Sequence, residues 1–216
     1  MQIKEKIDKR VLKEILVKSW RSLEDKFKKN DQLHEHNFKP NKVGYAQNSP
    51  IRKLGSERYL QVMLFGEISK QMESSKIKDI VLSVEGKKLN SKRPDILGWN
   101  PSLGGIGKPY FIIEIKVTGN YLLQNKKKGS FKKEIKMYTN TTDETLFFFG
   151  CYYESDPSEI NGILEKDYSL LKHFFGDDKR SFENRCIEGY AFRGDNKWKI
   201  VDNSIKSGRI HATGKG

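Results

Sequence analysis

The run Phe111-Ile112-Ile113 constrains the fold more than any other segment, because three consecutive apolar residues leave a strand no polar face. It lies within residues 110–117, a short aromatic and β-branched stretch opened by Pro109 and closed near Gly119, which predicts a strand. A strand apolar on both sides sits at the centre of a sheet whose two faces are covered. Glu114 and Lys116 stand inside this run. Strand side chains alternate, so Ile113, Ile115 and Val117 take one face and Glu114 and Lys116 the other. On a solvated strand such a pair would contribute little. In a covered strand a charge needs a reason, and function is the stronger one.

Residues 93–99 read as the preceding strand, joined to the next through Asn100-Pro101-Ser102 and Gly104-Gly105. These are turn formers, and an antiparallel return brings Asp95 beside Glu114. Two carboxylates and a lysine then converge. Mg2+ takes a few carboxylate oxygens, keeps several waters and completes its shell with phosphate oxygen. Asp95 and Glu114 suit that role as ligands and not as core supports. Lys116 suits charge stabilisation or the holding and deprotonation of an attacking water. The combination is that of a phosphodiester hydrolysis site.

Pro94-Asp95, a loop, and Glu114-Ile115-Lys116 on an apolar strand resemble the PD-(D/E)xK nucleases. That group includes most type II restriction endonucleases, Holliday-junction resolvases and several repair nucleases. The resemblance covers roughly residues 55–153, less than half of the chain. It implies an α/β fold with a restriction-endonuclease-like core: helix, three strands, helix, strand, with a mixed sheet flanked by helices. It also implies Mg2+ as cofactor, with Mn2+ as a substitute, and Asp95, Glu114 and Lys116 as catalytic residues. In this family a glutamate from the first core helix often adds a metal contact. Glu57, three residues before Leu60 and so on the inward face, is the first choice, and Glu67 the second.

Two other matches to the tripeptide are excluded by their surroundings. Glu134-Ile135-Lys136 falls where Phe131, Ile135 and Tyr138 recur at helical spacing, and on a helix positions two apart diverge. Glu85-Gly86-Lys87 has a turn-forming glycine and no apolar strand around it.

Around the motif, the chain reads as a single nuclease domain over residues 1–216. Residues 1–29 carry an amphipathic helix from about 4 to 29, with Ile7, Val11, Leu12, Ile15, Leu16, Trp20, Leu23 and Phe27 on one stripe. Residues 30–55 form a loop whose Lys39, Lys42, Arg52 and Lys53 are candidates for DNA contact. The core, 56–153, begins with Ser56 as N-cap of a helix over 57–72, bearing Leu60, Leu64 and Ile68. Ile80, Leu82 and Val84 mark the first strand, a helix spans 130–138, and Phe147-Phe148-Phe149 marks a buried strand over 145–153. The crossover into that last strand implies a parallel pair. In residues 154–201 a helix runs from Asp156-Pro157-Ser158-Glu159 to Gly176, followed by a hairpin of 186–192 and 197–201. Residues 202–216 are a polar tail expected to be mobile.

Composition narrows the partner. A net charge of +13 suits a polyanion, and Lys126, Lys127, Lys128, Lys132, Lys133 and Lys136 concentrate it just after the candidate strand. His34-Glu35-His36 has no Cys or His at zinc spacing. There is no Walker loop, dinucleotide fingerprint or nucleophile elbow. Two cysteines, no signal-peptide pattern and no long apolar run lead to the expectation of a cytoplasmic protein without a membrane partner.

The expected activity is therefore Mg2+-dependent cleavage of double-stranded DNA by a homodimeric type II restriction endonuclease. A resolvase or repair nuclease of the same fold is the alternative enzyme. A basic nucleic-acid-binding protein without catalysis is the alternative from another class.

Overall fold

Among the described residues six strands lie side by side in chain order: β1 (Val81–Val84), β2 (Ile96–Trp99), β3 (Phe111–Val117), β4 (Leu146–Tyr153), β5 (Cys186–Gly194) and β6 (Lys197–Asp202). The structure, a computed structural model, describes residues 7–26, 56–85, 88–89, 93–102, 108–117, 144–153, 185–194 and 197–202. β1, β2 and β3 pair antiparallel, β3, β4 and β5 pair parallel, and β6 returns antiparallel to β5. The protein is thus of the α/β class, with a mixed sheet. Phe111, Ile112, Ile113 and Phe147, Phe148, Phe149 are all buried, as two-sided strands require.

The three parallel strands are clasped at the ends where they begin. Thr145 Oγ1 donates to the carbonyl of Pro109 at 2.8 Å, and the buried Arg185 Nε donates to the carbonyl of Thr145. Leu146 N–H also donates to Tyr110 O. Polar backbone at these strand entrances is satisfied inside the protein.

Among the described residues two helices cover one face. In α1 (Lys9–Arg21) the N-cap Asp8 accepts from the Arg10 N–H at 2.8 Å, which starts the helix later than the expected residue 4. Leu12, Ile15, Leu16 and Trp20 form its buried stripe. The second helix, α2 (Ser56–Ser74), buries Leu60, Leu64, Ile68 and Met72. Its first residue is Ser56, expected as the cap, and it runs two residues past the expected Met72. A Schellman motif then ends it: Ile77 N–H reaches Met72 O, Lys76 N–H reaches Glu73 O, and Lys76 takes the left-handed conformation at φ 56°. α1 lies over β4, β5 and β6, α2 lies over β1 and β3, and the helices pack on each other.

Under the helices sit Ile96, Phe111, Ile113, Ile115, Leu146, Phe148 and Ile187. Trp20 fills the space above two glycines. A Cβ on Gly189 would come within 2.7 Å of the indole and 2.6 Å of the Phe148 ring, and one on Gly150 within 3.0 Å of the indole. Those missing side chains allow α1 to approach the sheet closely. On the opposite face Leu97, Ile112, Phe147, Phe149 and Cys186 are buried too.

Some sequence expectations shift by a residue or two. β1 begins at Val81 and not Ile80, and Arg93-Pro94-Asp95 leads into β2 without belonging to it. The expected hairpin is present with its first strand extended to Gly194, and it joins the same sheet through β4. The expected loop at 30–55, the helices at 130–138 and within 154–184, and the tail after 202 lie outside the described residues. Among the described residues no helix is long and apolar enough to cross a membrane.

Candidate active site

The ladder between β2 and β3 ends at Ile96 opposite Ile113, and one further step of the same register sets Asp95 opposite Glu114. Asp95 has left the strand, yet its side chain continues the pairing. Its Oδ2 accepts the N–H of Ile115, the peptide that follows Glu114. A carboxylate here does the work of a strand carbonyl and ties the two segments together at the site. The carbonyl of Asp95 in turn accepts from Glu85 N–H at 3.1 Å, anchoring the segment to the end of β1. Glu85 has φ 45°, in keeping with the turn read from Glu85-Gly86-Lys87.

Asp95 and Glu114 are each 5% exposed. Such carboxylates are rare unless paired, hydrogen-bonded or bound to metal. Glu114 lies on the sheet face away from α1 and α2, because its neighbours Ile113 and Ile115 belong to the helix-covered core. The register places Glu114, Phe149 and Glu188 in one row across β3, β4 and β5, with Glu188 also buried. Lys116 is the second residue beyond Glu114 in β3, opposite Cys151 in β4. Its side chain lies outside the described residues. Glu114 is the middle residue of β3, and Lys116 lies toward its carboxyl end, where parallel sheets place their ligand sites.

α2 contributes Gln61, whose Nε2 donates to Asp95 Oδ1 at 2.7 Å. Sequence reasoning missed this residue. The available signal is its place directly beside Leu60 of the buried stripe, although an uncharged amide does not by itself mark a metal site.

Glu67, the second choice for a further carboxylate, has other partners. Ser22 Oγ donates to its Oε2 at 2.7 Å, and Lys26 Nζ pairs with its Oε1. Burial pushes the Glu67 carboxyl up, but the Lys26 and Ser22 hydrogen bonds prevail and hold it below the usual range. It joins α2 to the residues just after α1. Glu57, the first choice, lies in the first turn of α2, one turn before Gln61, and its side chain is outside the described residues. So are Lys39, Lys42, Arg52, Lys53, Lys126, Lys127, Lys128, Lys132, Lys133 and Lys136.

The described donors are oxygens. Two buried carboxylates opposite one another in the register, one of them bonded to an amide, fit a hard cation such as Mg2+ better than zinc, which favours His and Cys. Among the described residues no group of three His, Cys, Asp or Glu side chains gathers at one point.

No family model matches the chain, and no curated protein matches it. Among solved structures it is similar to SfsA of Pyrococcus furiosus, determined in complex with Ca2+, at 12% identity and a TM-score of 0.34. The match covers 67% of this chain and 62% of that one, so the chain spans less than two thirds of its length.

Proposed function

We propose that the protein is a Mg2+-dependent deoxyribonuclease with a PD-(D/E)xK site on a restriction-endonuclease-like core. The observation that carries this reading is the Asp95 carboxylate bound to the peptide N–H that follows Glu114, with both acids buried. Two buried carboxylates opposite one another across β2 and β3 supply the hard oxygen donors that a divalent cation takes. Asp95 and Glu114 would hold Mg2+, or Mn2+ in its place. When bound, such an ion polarises a phosphodiester and lowers the pKa of a water.

The remaining work belongs to the chain. Lys116, two residues on, would stabilise charge on a phosphate oxygen or hold the attacking water. Glu57, one turn before Gln61 in α2, remains the proposed further carboxylate. The +13 charge supports duplex DNA as substrate, and the lysines of 126–136 together with Lys39, Lys42, Arg52 and Lys53 are the proposed phosphate contacts. A restriction cut breaks two strands, and one motif per chain hydrolyses one bond. The proposed enzyme is therefore a type II restriction endonuclease acting as a homodimer, whose two-fold symmetry would match a palindromic site.

Incubating a plasmid and a linear phage genome with the protein, with and without Mg2+, tests this reading. Discrete fragments with mappable ends are expected only with the ion. Preference for branched substrates would redirect the reading to a resolvase, and DNA left intact but bound would leave a binding protein.

A further inference from the structure

Gln61 is 1% exposed, and only one end of its amide is used. An ionised carboxylate accepts and cannot donate, so the NH2 end must face Asp95 and Oε1 is the end left over. That Oε1 is buried and has no hydrogen-bond partner among the described residues. Buried acceptors without donors are uncommon in native interiors, and each asks for a water or an ion. Nε2 and Oε1 share one carbon, so the vacant acceptor sits beside the atom that touches Asp95. α2, which carries it, packs on the face of β3 opposite Glu114, so the acceptor reaches the site from the side of Asp95.

We infer that Gln61 belongs to the cation site as a positioning residue. Its Nε2 fixes the orientation of Asp95, and its Oε1 accepts a hydrogen bond from a water carried by the divalent cation. The inference rests on the metal-dependent reading above. Mg2+ gives up its waters reluctantly, and a water on a cation is a strong donor, so the waters it retains need acceptors around them. A neutral amide meets that need without adding another negative charge beside buried Asp95. A glutamate in its place would offer an acceptor but would repel Asp95 in the absence of metal.

Two measurements test this on the intact protein. In the wild type, with glutamine side-chain amides labelled with 15N, adding Mg2+ should move the Gln61 NH2 signals. In calorimetric titrations with Mn2+, Gln61→Met should bind about tenfold more weakly, as expected when an outer partner of a metal site is lost. Gln61→Glu, which keeps an acceptor, should bind at least as tightly as the wild type. Circular dichroism and thermal melting of both variants without metal separate this from a purely structural role, which would lower the melting temperature and leave Mn2+ affinity unchanged. Unmoved Gln61 signals, unchanged affinity in Gln61→Met, or equal losses in both variants would overturn the inference and leave the nuclease reading standing. A wild type that binds no Mn2+ and cuts no DNA would overturn both.

Discussion

Asp95 is built into the backbone, although the sequence casts it, with Glu114, simply as a metal ligand. Asp95 accepts from Ile115 N–H and Gln61 Nε2, so it also supports the junction of β2, β3 and α2. Asp95→Ala should therefore abolish Mg2+-dependent cleavage and destabilise the fold, at about 1–3 kcal/mol for each buried donor left unpaired. Urea unfolding checks the second effect. Wild-type stability in that variant would mean that the two hydrogen bonds carry no net weight. Glu114→Gln is the cleaner probe of chemistry, because it keeps volume and an acceptor while removing the charge. Its cleavage rate should fall by about 100-fold or more with little change in melting temperature, and wild-type turnover would remove Glu114 from the site.

At the scale of elements, a helix cap and an ion pair between segments make opposite predictions. Lys76 ends α2 in the left-handed region at φ 56°, which a side chain disfavours. Lys76→Gly should raise stability by about 0.5–1 kcal/mol through relief of that strain, and a lower melting temperature would contradict the capping geometry. Glu67 holds α2 to Ser22 and Lys26 beyond α1. Its carboxyl sits below the ordinary glutamate value when folded, so its stabilisation is complete above that value and lost as pH falls through the folded one. Glu67→Gln should thus be less stable than the wild type by about 1 kcal/mol at pH 7, Lys26 being partly solvated, and the gap should close as pH falls below the ordinary glutamate range. DNA cleavage should persist in this variant, and its loss would return Glu67 to the list of metal contacts.

For the whole molecule, charge and symmetry are the properties to measure. A net +13 neutralising several phosphates predicts that duplex affinity falls steeply with salt, by about 10³ or more between 50 and 200 mM if six or more contacts form. Fluorescence anisotropy across that range checks it, and a flat response would argue against a phosphate-binding surface. Sedimentation of the protein alone and on cleavable duplex should give two chains per DNA. One chain in both states would exclude the homodimer and favour nicking or repair.

How much of this was legible in the sequence follows from what periodicity can encode. Phe111-Ile112-Ile113 and Phe147-Phe148-Phe149 announced strands buried on two faces, the Leu60, Leu64 and Ile68 stripe announced α2, and turn residues after Trp99 announced the return that sets Asp95 by Glu114. Each depends on how residues repeat within one element, which physics writes into the chain locally. Other features depend on how separate elements meet: Gln61 touching Asp95, Glu67 turned to Lys26, Trp20 seated above Gly150 and Gly189, and β5 joining the sheet parallel to β4. Helix phase and strand order decide those contacts, and both come from packing the whole core at once. The sequence by itself determined which surfaces had to be buried, and only the tertiary structure decided which polar groups were buried together.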